Sequence, residues 1–220
     1  MSKIFIPANE AGDWKQLLAQ PNKQWRTGYS AKTLAYCWQE TQDKTSDFPE
    51  CVRGVFMKSE IPIFQDIELL LAFPEYKVPL PGGKRASQND IFVLARGNNQ
   101  LVSITVEGKV RESFGELVNE WRKKDLGGKQ ERLNYLLDWL QLSENKVSNI
   151  RYQLLHRTVS ALIEADKFKA KNALMLVHSF SQDNECFDDY KQFLALFDLD
   201  AKPDSIVFAK NLKGINLYFG

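Results

Sequence analysis

The fold turns on residues 90–110, "DIFVLARGNNQLVSITVEGKV". In its second half Val102, Ile104, Val106 and Val110 fall on one side of an extended chain, while Ser103, Thr105, Glu107 and Lys109 fall on the other. This period-two alternation marks a strand with one face in a core. The first half, "DIFVLARG" at 90–97, is a second strand, and "NNQ" between them reads as a hairpin turn. The polar face sets a carboxylate and an ammonium two residues apart. That is either a solvated surface pair or a site.

Outward from the hairpin, "YKVPLP" at 76–81 reads as extended and leads into the turn "GGKRASQN". Upstream, "IFQDIELLLAF" at 63–73 reads as a helix stopped by Pro74. The polar stretch 42–60, punctuated by Pro49, reads as a loop. "SAKTLAYCWQET" at 30–41 reads as a helix with Ser30 as its cap, and "KIFIP" at 3–7 as a short strand. Downstream, helices are expected at 114–124, 129–142, 149–169 and 186–197. The nearly unbroken apolar run "ALMLVHSFS" at 173–181 has the pattern of a strand buried on both faces. "SIVFAK" and "INLYF" complete the chain as two more strands. The order predicts a mixed α/β single domain over 1–220.

Composition narrows the function classes. The 220 residues are 44% hydrophobic and 26% charged, with a net charge of +1, so no global field draws the chain to a nucleic acid or a membrane. "MSKIFIPANEAGDW" lacks the apolar core of a signal peptide, and no run reaches membrane-spanning length. The three cysteines, Cys37, Cys51 and Cys186, are scattered and odd in number, which fits reduced thiols in a cytoplasm. Two histidines and no CxxC argue against a zinc site built on His and Cys. His178, inside an apolar run, reads as a hydrogen-bonded core histidine. The chain stops at "INLYFG", directly after an expected strand, the pattern of a shortened C-terminus.

Glu-x-Lys occurs at 75–77, 107–109 and 144–146, but only the second ends an alternating strand whose hairpin partner opens with an acid, Asp90. Across a hairpin, Asp90 and Glu107 can approach each other, and two nearby carboxylates make a hard-oxygen site for Mg²⁺. The Gly108 carbonyl would add a ligand, and Lys109 would touch the attacking water or stabilise charge on a phosphate. The turn at 82–87 offers backbone amides and two cations, Lys84 and Arg85, for a phosphate. On the 149–169 helix, Gln153, His156, Arg157 and Ser160 form one polar stripe. Its low charge suggests partial burial.

Asp90, Glu107 and Lys109, in this order, resemble the D…(D/E)xK signature of the PD-(D/E)xK nuclease superfamily. The helix–strand–strand–strand–helix–strand succession at about 63–181 is similar to its restriction-endonuclease-like core. "EYKVPLPGGKRASQNDIFVLA" and "IRYQLLHRTVSALIEA" also resemble a group of bacterial proteins of unassigned role. The superfamily resemblance implies Asp90 and Glu107 as ligands of Mg²⁺ or Mn²⁺ and Lys109 as the catalytic lysine. It also implies a further acid from the helix before the first strand, Glu68, with Glu75 as substitute. Gln153 and Arg157, with Tyr152 nearby, resemble the helix residues that face such sites. Asn89 stands where the family name has proline. The implied activity is metal-dependent hydrolysis of nucleic acid, DNA foremost. A non-cutting module of the same fold is the alternative, and a homodimer or a protein partner is compatible with either.

Overall fold

The computed structural model describes residues 3–4, 9–43, 48–123 and 127–220. Six strands form one mixed sheet in the order β1-β2-β3-β4-β6-β5. They are β1 (Glu68–Val78), β2 (Ser87–Gly97), β3 (Gln100–Lys109), β4 (Asn172–Ser179), β5 (Val207–Leu212) and β6 (Ile215–Phe219). The helices are α1 (Pro21–Gln24), α2 (Ser30–Gln39), α3 (Glu50–Lys58), α4 (Pro62–Gln65), α5 (Val118–Lys123), α6 (Lys129–Leu140), α7 (Tyr152–Lys167) and α8 (Phe187–Ala195).

β1, β2 and β3 form an antiparallel meander, and β4 then runs parallel to β3. The β2–β3 turn places Asn98 and Asn99 at φ of 44° and 57°, the left-handed pair that matches strand twist in a two-residue hairpin. The connection from β3 to β4 carries α5, α6 and α7, as a parallel crossover must.

Strand parity sorts the apolar residues into two cores. Leu174 and Leu176 of β4 join Val102, Ile104 and Val106 of β3 under the N-terminal helices, with Leu34, Trp38 and Phe56. Ala173 and Met175 face the other way, against Leu155, Val159 and Leu162 of α7. β4 is therefore buried on both faces, as its unbroken apolar run demands.

Three expectations are corrected. The 63–73 stretch is not a helix: only Pro62–Gln65 is helical, and Glu68 onward is β1. Pro74 sits within this strand, which is tolerated because β1 borders the sheet and an edge strand has one side with no ladder to complete. Residues 50–58 are not loop but helix α3, with Pro49 at its N-cap. Ser30 does not cap α2: Tyr29 is the N-cap, and the Ser30 amide instead donates to Glu112 Oε1 at 2.6 Å. Of the expected 3–7 strand, Ile4 makes an isolated bridge to Ala72, and residues 5–7 lie outside the described residues.

Candidate functional site

The polar face of β3 is not solvated. It lies under α7, which runs antiparallel to it. Ser103 Oγ donates to the Ala161 carbonyl at 2.8 Å, and Thr105 Oγ1 donates to the Arg157 carbonyl at 3.1 Å. Two residues further along the strand, and toward the start of the helix, the contacts pass from backbone to side chains. Arg157 Nε donates to Glu107 Oε2 at 2.5 Å. Gln153 Nε2 donates to Glu107 Oε1 at 2.6 Å, and Lys109 Nζ to the same oxygen at 2.7 Å. Lys109 Nζ also donates to Gln153 Oε1 at 3.1 Å. Glu107, Lys109 and Arg157 are 3%, 5% and 7% exposed, so these are buried charges held by partners, as burial requires.

Asp90 enters where the sheet opens. The β2–β3 ladder ends at Ile91↔Val106. Beyond it, Asp90 Oδ2 accepts the Gly108 N–H at 2.8 Å, replacing the missing ladder partner. A Cβ on Gly108 would stand 3.3 Å from that oxygen and 3.2 Å from Leu34 Cδ2, so the small residue permits the approach. On β1, Glu75 has φ of 51°, a conformation unusual for a residue with a Cβ. Its Oε2 accepts Gln88 Nε2 at 2.6 Å.

The electrostatics follow from this crowding. Burial and the charge of Glu107 push the Asp90 carboxyl up to about 7. Burial and the charge of Asp90 push Glu75 up to about 8. Burial would raise Glu107 as well, but the charges of Arg157 and Lys109 outweigh it and hold the group below the usual carboxylate range. Burial, with Arg157 beside it, keeps His156 well below its ordinary value and therefore neutral. Its Nδ1 meets Ser87 Oγ at 2.8 Å, and Ser160 Oγ and Arg157 Nη1 meet the same hydroxyl at 2.8 and 3.2 Å. Ser87 thus ties Arg157 in place, a role its position just after a turn did not suggest.

Of the residues singled out in the sequence, Asp90, Glu107, Lys109, Gln153 and Arg157 come together. Glu75 joins them and Glu68 does not. Glu68 lies at the opposite end of β1, seven residues from Glu75 or roughly 23 Å of extended chain, and is paired with Arg96 and Lys3 at the surface. Lys84 and Arg85 are exposed. The turn that carries them is fixed to α6 rather than to Glu107: Arg132 donates to the carbonyls of Leu80, Pro81 and Gly83. Tyr152 stacks on Trp121, with ring centroids 3.9 Å apart, and meets His156 in a tilted contact at 4.8 Å.

An open cleft of about 290 Å³ lies at the C-terminal ends of β3 and β4. Of the clustered site residues, Lys109 alone lines it, with Phe114, Ser179, Cys51 and His178 among the other lining residues. The cysteines are not all scattered. Ligand-type atoms of Cys37, Cys51 and His178 lie within 4.8 Å of one another, a group that could hold a metal ion. Spacings of 14 and 127 residues gave no sign of it; α2, α3 and β4 bring it about.

The fold and site define an α/β protein in which a mixed sheet and one long helix bury a carboxylate–cation cluster beside two further acids. The chain belongs to the family described as Domain of unknown function (DUF6946), whose model matches residues 7–220. No curated protein and no solved structure matches the chain. Among the described residues, no helix is long and apolar enough to cross a membrane.

Proposed function

We propose that this protein is a divalent-cation-dependent phosphodiesterase that hydrolyses nucleic acid, DNA foremost, with a PD-(D/E)xK-type site on a restriction-endonuclease-like core. The observation that carries the reading is the meeting of Asp90 and Glu107 where β2 parts from β3, with Lys109 fixed beside them. The donor set fits Mg²⁺ or Mn²⁺, hard cations that take oxygen ligands. An ionised carboxylate offers about four lone-pair sites. Among the described residues, Asp90 receives the Gly108 amide and Glu75 receives Gln88, which leaves acceptor capacity on both acids. Asp90 and the remaining lone pair of Glu107 would hold the ion, and Glu75 would have to close on it, because among the described residues the oxygens of these three acids do not all lie within 4.8 Å of one another. When bound, it would supply Lewis acidity and a water of lowered pKa.

The chain's own residues do the positioning. Lys109 donates to Glu107 Oε1 and Gln153 Oε1 and lies over the Phe114 ring, its Nζ 4.8 Å from the centroid; from there it would meet the charge that builds on a phosphate in the cleft. Arg157 balances Glu107 and is itself oriented by Ser87. A supercoiled-plasmid assay with Mg²⁺ or Mn²⁺ tests the reading. Nicking by the parent, with Lys109→Met and Asp90→Asn slower by about 10²-fold or more, supports it. Equal rates in all three proteins, or no cleavage of any DNA or RNA substrate, defeats it.

A second reading rests on one specific observation: Glu107 already meets Lys109, Gln153 and Arg157. A network so well satisfied also suits a non-cutting binding module that works with a nucleic-acid or protein partner or as a homodimer. That module would bind nucleic acid without metal and leave it intact.

A further inference from the structure

We propose that Cys51 and Cys37 form a redox-active thiol pair, with Cys51 as the attacking thiolate, His178 as its hydrogen-bond donor and Cys37 as the resolving thiol. The inference is independent of the phosphodiesterase reading. It begins with Trp38, whose indole Nε1–H can only donate. That group lies 3.1 Å from His178 Nδ1, so Nδ1 is the acceptor and the ring's own proton sits on Nε2. Nε2 in turn lies 3.4 Å from Cys51 Sγ. The imidazole therefore presents an N–H to the sulfur, the arrangement that favours a thiolate. With its proton there, Nε2 has no lone pair for a metal, and the ring turns a metal-shaped triad into a thiol site.

The surroundings are consistent. Trp38 and His178 are 1% and 8% exposed, so the donor relay is shielded, whereas Cys51 is exposed and Cys37 half-buried. Both cysteines line a second surface depression, with Glu40, Pro49 and Arg53. The Cys37 thiol hydrogen-bonds to Cys51, and this bond, followed by that of His178, lowers the Cys51 thiol to about 4. A thiolate that is both stabilised and reachable is the reactive kind. Cys186, whose thiol is raised by burial and by the charge of Asp189, is the internal comparison.

The oxidant is a hydroperoxide. Cys51 S⁻ attacks one peroxide oxygen; an S–O bond forms, the O–O bond breaks, and the departing alkoxide or hydroxide takes a proton from solvent. The product is the Cys51 sulfenic acid. Cys37, its proton released to solvent, then attacks the Cys51 sulfur. An S–S bond forms, the S–O bond breaks, and hydroxide leaves and is protonated to water. Two electrons have passed from two thiols to one peroxide, and α2 is cross-linked to α3. A small dithiol returns the pair to its reduced state by exchange.

The test treats the purified full chain with equimolar hydrogen peroxide, followed by iodoacetamide and peptide mass mapping. A Cys37–Cys51 disulfide with Cys186 alkylated is expected. Cys37→Ser should instead leave a Cys51 sulfenic acid that dimedone traps. Without peroxide, at pH 7, Cys51 should alkylate at least about tenfold faster than Cys186, and Trp38→Phe should reduce that ratio in protein whose melting shows it folded. Equal alkylation of Cys51 and Cys186 in the parent would overturn the proposal, and so would the absence of the disulfide. Stoichiometric zinc that protects both thiols from iodoacetamide would overturn it too, by making the triad a metal centre. The parent measurements need no variant to fold.

Discussion

Arg157 and Glu107 face each other across the helix–sheet interface, Nε to Oε2 at 2.5 Å, each almost wholly removed from solvent. The pairing is a consequence of matched periods. Two residues of β-strand advance about 6.6 Å, and four residues of α-helix advance about 6.0 Å. Ser103, Thr105 and Glu107 therefore step along α7 at Ala161, Arg157 and Gln153, and the long Arg157 side chain reaches one step further along the strand to Glu107. Hydroxyls meet helix carbonyls where the elements are deepest, and charges meet charges where they reach the edge.

Removing one member of this set should be costly. Glu107→Ala leaves Arg157 and Lys109 buried without their carboxylate, and loss of one partner of a buried pair costs about 3–5 kcal/mol. Urea unfolding of the variant should show a loss of this size. Glu107→Ala combined with Arg157→Met should lose less than the sum of the two single changes, because the second removes a charge that the first stranded.

Asp90 predicts a pH dependence with a definite sign. Its ordinary value is 3.8 and its folded value about 7. Between these, the folded chain keeps a proton that the unfolded chain has lost, so this group's contribution to stability falls as pH rises through the window. Asn does not titrate. The melting temperature of Asp90→Asn relative to the parent should therefore climb from pH 4 toward pH 7 and then level off. Thermal melts in metal-free buffers measure this difference, and a flat difference would contradict the burial of Asp90 beside the charge of Glu107.

The turn at 82–87 should matter for packing. Gly82 has φ of 74°, and a Cβ there would lie 2.0 Å from the Gly128 carbonyl oxygen. Gly82→Ala should be destabilising by more than about 1 kcal/mol, while Lys84→Ala and Arg85→Ala should stay within about 0.5 kcal/mol as exposed changes. Chemical denaturation of the three variants checks the contrast.

β3 and α7 are legible because each obeys one period over many residues, and β4 because its unbroken apolar run fits a strand buried on both faces. The low charge of the Gln153–Ser160 stripe likewise points to its burial against the sheet. "IELLLAF" misled because a short apolar run fits either period, and Pro74 looked like a helix stop until the strand proved to be an edge. Pro49 has the look of a loop marker but stands at the N-cap of α3. A helix ahead of the first strand favours Glu68 over Glu75; that segment is instead β1, which puts Glu75 beside Asp90 and leaves Glu68 with Arg96. Cys37, Cys51 and His178 left no trace in sequence, since three elements distant along the chain must pack before they meet.

Asp90 and Glu107, with Glu75 closing on them, are proposed to hold one divalent ion next to Lys109. Calorimetric titration of the folded chain with Mn²⁺ tests it most directly, beside Asp90→Asn and Glu75→Gln. One saturable site in the parent, weakened by at least about tenfold in each variant, is the predicted result. A silent titration, or binding that neither substitution disturbs, would contradict it.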